Sequence, residues 1–284
     1  MRFPTILLSL VILLSVSLKA QDVISAKEFM AEFKKNKDIV VVDASNEENY
    51  KKHIPNAVSI PHKSLYKEGD IEGLIKSPEE LAKIFGEKGI SNTTPVIIYD
   101  DGSSKYNSRV YWILKYVGAE NVRLLHKDME KEWRKVRIPL TAGASRVKSK
   151  TFTPKVNEAI MASIDDVKKA LASDNAIVVD ARTPEEFNGT STKRESKGHI
   201  KGSININYEE FLTENGDYKS PAEIKAVAEK HGLSPDKEII SYCLTSVRAC
   251  PVYVALTGIG YNNVKVYDGA YNEWVADPSN PLAK

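Results

Sequence analysis

Cys243 and Arg248 bracket a short stretch, Cys243-Leu244-Thr245-Ser246-Val247-Arg248, that follows the aliphatic run Ile239-Ile240-Ser241-Tyr242. Beyond it, Ala249 to Thr257 reads as a helix stopped by Gly258. A cysteine between the carboxyl end of a strand and the start of a helix stands where open α/β sheets hold their ligands. The N–H groups of such a turn converge on one spot, and the helix N-terminus is electropositive. Both effects favour thiolate over thiol and would stabilise a persulfide anion. Arg248 adds a fixed charge and a planar donor fork suited to an oxyanion.

The other cysteine, Cys250, lies seven residues further on. On a helix beginning just after Cys243, the two Cα atoms would stand about 10 Å apart, beyond disulfide reach. The expectation is two thiols, Cys243 reactive and Cys250 facing the core. The five histidines and two cysteines show no metal-ligand spacing, so no metal site is expected.

The elements that must position these residues occur twice. Ile39-Val-Val-Val-Asp43-Ala44 returns as Ala176-Ile-Val-Val-Asp180-Ala181, and His53-Ile54-Pro55-Asn56-Ala57 as His199-Ile200-Lys201-Gly202-Ser203. Ser77-Pro78-Glu79-Glu80 returns as Ser220-Pro221-Ala222-Glu223, and Val117-Gly118-Ala119-Glu120-Asn121-Val122 as Ile259-Gly260-Tyr261-Asn262-Asn263-Val264. Order and spacing are kept, apart from a few extra residues after Gly189; this is a tandem duplication.

Within each half, short aliphatic runs (Val40–Asp43, Ala57–Ile60, Val96–Tyr99, Val122–Leu125) alternate with helical stretches such as Asn107–Gly118. Alternation of this kind predicts an α/β fold: two domains, each a central, mostly parallel sheet with helices on both faces. We divide the chain into a leader at 1–20, a first domain at 21–140, a linker at 141–157 rich in Ser, Thr and Lys, and a second domain at 158–284. His53 and His199 hold matching places in both halves and read as structural; Trp112, Trp133 and Trp274 read as packing.

Arg2, the apolar run Ile6–Leu18 and Ala20 have the layout of a secretory signal peptide. The run is shorter than the ~20 apolar residues of a spanning helix. The mature chain is therefore expected outside the cytoplasm, periplasmic or secreted, and off the membrane. A net charge of +2 gives no reason to expect nucleic acid, and we expect a monomer.

Taken together, Val179-Asp180-Ala181-Arg182, Gly198-His199-Ile200-Lys201-Gly202-Ser203-Ile204, the six-residue Cys243 loop and Tyr267-Asp268-Gly269-Ala270-Tyr271-Asn272-Glu273-Trp274 resemble a rhodanese domain. The first half resembles the same domain, so the chain is similar to the two-domain thiosulfate and 3-mercaptopyruvate sulfurtransferases. The resemblance implies covalent catalysis without a cofactor. Cys243 would take sulfur from a small anionic donor as a persulfide and pass it to a thiophilic acceptor such as cyanide. Leu244, Thr245, Ser246 and Val247 would cradle the anion, and Arg182 would face the loop and bind the donor with Arg248. In the first half Asp101 aligns with Cys243 and Ser45 with Arg182, which implies that this domain has lost the chemistry and shapes one wall of the site.

Two other readings stand beside this one. Cysteine phosphatases also use a Cys-to-Arg loop, but with five intervening residues; the four here make a tighter cradle, suited to one sulfur atom. A non-catalytic module that only carries or binds sulfur is the second. The cationic loop end points to thiosulfate as donor, with 3-mercaptopyruvate as the alternative.

Overall fold

The computed structural model describes residues 22–126, 128, 131–192 and 196–284. The proposed leader, and Lys193-Arg194-Glu195 of the extra loop, lie outside the described residues.

In chain order the first domain contains β1 (Val23–Ile24), α1 (Ala26–Lys35), β2 (Val40–Asp43), β3 (Val58–Ser59), α2 (Pro78–Glu87), β4 (Val96–Tyr99), α3 (Tyr106–Tyr116), β5 (Val122–Leu125) and α4 (Glu132–Val136). The second contains β6 (Met161–Ala162), α5 (Ile164–Leu171), β7 (Ala176–Asp180), α6 (Pro184–Phe187), β8 (His199–Ile200), β9 (Ile204–Asn205), α7 (Pro221–Lys230), β10 (Glu238–Tyr242), α8 (Ala249–Gly258), β11 (Val264–Tyr267), α9 (Ala270–Ala276) and β12 (Leu282–Ala283). The two large sheets are five-stranded and parallel, ordered β1-β5-β4-β2-β3 and β6-β11-β10-β7-β9, one the image of the other. β12 pairs antiparallel with β8.

Side chains on these strands alternate between two apolar layers, as the pleat requires. Val42 and Ile98 join the layer shared by both domains, while Val41, Ile97 and Tyr99 pack with Phe29 and Trp133 on the outer face. In the second domain Val179 and Ile239 face the shared layer, and Val178, Ile240 and Tyr242 pack outward with Trp274. α3 and α8 meet across the shared layer, so the domains are joined by a common core.

Helix starts follow the caps legible in the chain: Ser77 and Glu80 close a box on α2 with Pro78 at its first turn, and Ser220 and Glu223 do the same on α7. Between α4 and β6 the chain lies along the first domain, where Lys150 N donates to Gly86 O and Lys155 N to Val117 O. Both repeated histidines stack on an aromatic ring and bond a backbone carbonyl through Nδ1: His53 with Tyr50, His199 with Phe187. Trp112, Trp133 and Trp274 are buried, each indole N–H meeting a backbone carbonyl. Among the described residues no helix is long and apolar enough to cross a membrane.

Candidate active site

β10 delivers Cys243 to the carboxyl edge of the second sheet, where the chain must turn into α8. The turn is made by Ser246, whose φ of 60° is left-handed. That conformation is costly for a residue with a Cβ, and the Ser246 side chain is tied down to hold it. Its Oγ donates to the carbonyls of Tyr267, the last residue of β11, and of Asp268, which follows it. Ser246 is thus wholly buried and acts on the loop backbone; its side chain does not face a ligand.

The turn brings the Arg248 N–H onto the Cys243 sulfur at 3.3 Å. Cys243 is 1% exposed and lies beneath a floor formed by Leu244, Thr245, Val247 and Arg248. Among the described residues the N–H groups of Thr245, Ser246 and Val247 have no acceptor, so they remain available to an anion. Cys250 is a free thiol at the second position of α8, bonded to Ser246 O at 3.2 Å; burial pushes its pKa up to about 12.

Both expected donor-binding arginines are already engaged. Arg182 turns back onto its own strand end: Nε and Nη2 donate to the Asp180 carboxylate at 2.6–3.0 Å, and Nη2 also to Gly198 O. Its guanidinium lies 4.0 Å from the Tyr271 ring centre, and it is not among the residues lining the cleft. Arg248 does line the cleft, but its fork closes bidentately on Glu186 of α6 at 2.5 and 2.9 Å. Burial alone would raise the Glu186 pKa; the Arg248 hydrogen bonds and charge outweigh it and hold the carboxyl at about 2. Glu186 also completes the capping box of α6 with Thr183. The Thr183-Pro184-Glu185-Glu186 string signals that helix start; its second task depends on a tertiary contact.

The cleft above the loop has a volume of about 630 Å³ and is walled by both domains. From the first come Asn46, His62, Lys63, Tyr66, Glu72, Lys105 and Tyr106; from the second, Asn272 joins the loop residues. His62 stacks on Tyr106 and its Nδ1 meets the Tyr66 hydroxyl at 2.8 Å. Burial, reinforced by Arg109, Lys63 and Lys105, lowers its pKa to about 4, so it is neutral at pH 7. These wall residues belong to no motif and went unread in the sequence.

A strap from the first domain holds the floor down. Gly73 (φ 106°) runs so close to the loop that an added Cβ would sit 2.8 Å from Thr245 Cβ. Arg109 of α3, fully buried, crosses the domain boundary to Asp268 at 2.6 Å and also bonds Gly73 O. Asp268 in turn accepts the Ile75 N–H.

The first domain carries the same turn without the thiol. Tyr99 and Tyr242 hold equivalent registers, paired with Asp43 and Asp180 respectively, and each hydroxyl accepts from the equivalent Ile54 or Ile200 N–H. The residue that follows them is Asp100 or Cys243. Asp100, not Asp101, is therefore the counterpart of the nucleophile. Ser104, at φ 56°, repeats the left-handed turn of Ser246, but stands four residues after Asp100 where Ser246 stands three after Cys243, so one extra residue precedes the turn. That extra residue shifts a sequence alignment anchored on Val117-Gly118 and Ile259-Gly260, past the following helix, onto Asp101. Asp100 is buried and accepts from the N–H groups of Gly102, Ser104, Tyr106 and Asn107 at 2.9–3.4 Å.

This geometry can hold a small anion over a sulfur nucleophile set just beneath the floor of an interdomain cleft. Among the described residues no group of three His, Cys, Asp or Glu side chains could hold a metal. The rhodanese-like domain model matches residues 25–135 and 163–277. Thiosulfate sulfurtransferase of Bos taurus is 31% identical over 81% of this chain and 80% of its own. Sulfur carrier protein TtuD of Thermus thermophilus is 32% identical over 82% and 85%. The structure of SseA from Escherichia coli, a 3-mercaptopyruvate sulfotransferase by its published description, superposes with a TM-score of 0.78 at 28% identity, covering 87% of this chain and 98% of that one. The chain belongs to the rhodanese family of sulfurtransferases, with two such domains in tandem.

Proposed function

We propose that the protein transfers sulfane sulfur from thiosulfate, through a persulfide on Cys243, to a thiophilic acceptor such as cyanide. The observation that carries this reading is the pair of equivalent loops. Where the first closes four N–H groups on a carboxylate, the second sets a thiol that already receives one N–H. A loop of this form turns N–H donors toward that position, and a thiolate and then a persulfide anion need such donors.

In the first step the Cys243 thiolate attacks the outer sulfur of thiosulfate. A new S–S bond forms, the old one breaks, and sulfite leaves with the bonding electrons. In the second, the acceptor attacks the terminal sulfur and Cys243 regains its thiolate, giving ping-pong kinetics. Lys63, Lys105 and Arg248 outnumber Glu72 on the cleft walls, a cationic bias toward a dianionic donor. The Glu186 pair supports a second reading, 3-mercaptopyruvate: with Arg248 matched by a carboxylate and Leu244, Thr245 and Val247 uncharged, the loop itself suits a monoanion. The leader-like first 20 residues support action outside the cytoplasm, and we take the working unit to be a monomer.

Mass spectrometry of the intact protein after incubation with each donor tests the reading. A gain of one sulfur atom, mapped to Cys243 and removed by cyanide, is expected. No adduct with either donor would leave only a binding module.

A further inference from the structure

We propose that Lys105, on the loop of the first domain, supplies the charge that recognises the anionic substrate at Cys243. The inference rests on the sulfurtransferase reading above and assigns its substrate recognition. Of the charged groups around the cleft, Arg248 is bound by the Glu186 carboxylate on two sides. Lys63 faces Glu72 at 3.9 Å, and both are largely exposed, so solvent weakens what either offers. Arg182, the other arginine near the nucleophile, is closed on Asp180 and lies off the cleft lining. His62 is uncharged at neutral pH. Lys105 lines the cleft, is half-buried, and among the described residues has no carboxylate partner; its ammonium rests 5.0 Å from the Tyr106 ring centre.

Its place in the chain explains how it comes to be there. Lys105 follows the left-handed Ser104 as Val247 follows Ser246, and it caps the start of α3 as Arg248 does that of α8. The domain without the thiol shares the turn, and the residue leaving that turn lines the neighbour's cleft. A cation with no partner on a cleft wall attracts small anions more than one already neutralised, and the low-dielectric walls focus its field.

An effect of this origin scales with substrate charge. Steady-state kinetics of Lys105→Ala and Lys105→Arg, measured with thiosulfate and with 3-mercaptopyruvate at fixed acceptor, test it. For Lys105→Ala we expect KM to rise about threefold with the monoanion and about tenfold with the dianion, since doubling the charge squares the factor. The change should fall on KM more than on kcat, shrink with added salt, and be restored by Lys105→Arg. An unchanged KM for both donors overturns the proposal, as does an equal loss for both that salt does not reduce, which marks a purely structural role. Sulfur loading of the unaltered protein is measured alongside: its absence counts against the sulfurtransferase reading, whereas loading that is normal and indifferent to Lys105 counts against this inference alone.

Discussion

At the carboxyl end of β4 four backbone N–H groups close on the Asp100 carboxylate; at the same place on β10 the Arg248 N–H meets the Cys243 sulfur. Both loops turn through a left-handed serine, and in both the residue four positions later bonds that serine's carbonyl: Ser108 to Ser104 O, Cys250 to Ser246 O. Each is also held by a glycine strap from the other domain, Gly73 against Thr245 and Gly216 against Gly102 O. The scaffold is therefore common, and what differs is the filling and the charge of the walls. Above the first loop the cleft is lined by Glu209 and Glu214; above the second stand Lys63, Lys105 and Arg248 with Glu72, and of these cations Lys63 faces Glu72 and Arg248 is paired with Glu186. An internal carboxylate satisfies the first loop from within, while the second keeps donors for an anion from outside.

The two loops also differ in what lies behind them, and the largest expected effect tests that. Arg109 is a wholly buried guanidinium from the first domain whose carboxylate partner, Asp268, sits behind the second loop. Arg109→Met leaves Asp268 without its countercharge and removes the bond to Gly73 O. Breaking a buried pair from one side costs about 3–5 kcal/mol. Denaturant unfolding should show that loss, with sulfur loading of Cys243 reduced at temperatures where the chain remains folded. An intact loading rate would show that the strap does not position the loop.

His62 marks the wall of the live cleft; by the repeat, Tyr208 lines the other. With the native pKa near 4, the unfolded chain takes up this proton first as pH falls. Stability should therefore decline between about pH 6.5 and pH 4 and level off below. The depression corresponds to about 3 kcal/mol. His62→Tyr, which installs the other domain's residue, should remove this part of the slope of unfolding free energy against pH. An unchanged slope would refute burial of a neutral imidazole.

Asp100 carries the comparison itself. Asp100→Ala leaves the N–H groups of Gly102, Ser104, Tyr106 and Asn107 without their acceptor, though it also relieves a carboxylate whose pKa burial has raised. A net loss of about 2 kcal/mol in unfolding free energy is expected. Chloride or sulfate should restore part of it if the emptied loop is an anion cradle. No dependence on the anion would break the equivalence drawn between the loops.

Much of this was legible in the chain because it is local or repeated. Strand runs, Ser-Pro-x-Glu caps and the Cys243 turn depend on neighbours in sequence, and the duplication fixed which strands correspond. In sequence Asp101 aligns with Cys243, because one inserted residue is invisible until strand register places Tyr99 beside Asp43. Arg182 and Arg248 read as donor-binding because charge shows in a sequence and its neutralisation does not. Glu186 lies 62 residues from Arg248, and only the fold brings them together. For the same reason His62, Lys63 and Lys105 gave no signal: they line a cleft that exists between domains.

The smallest effect concerns the shared turn. Ser246 accepts a left-handed backbone that disfavours any side chain, and compensates through Oγ bonds to Tyr267 O and Asp268 O. Glycine at this position relieves the backbone cost of about 1–2 kcal/mol and forfeits one hydroxyl hydrogen bond, shared between two carbonyls, of about 0.5–1.5 kcal/mol. The terms nearly cancel, so Ser246→Gly should change unfolding free energy by less than about 1 kcal/mol and keep sulfur loading. Ser104→Gly should have a similarly small effect, since its Oγ likewise gives up a bond to a carbonyl, here Gly216 O of the other domain. If the variant at 246 lost loading while the one at 104 left stability unaltered, the turn would be a common fold whose side-chain anchoring matters only where the thiol is.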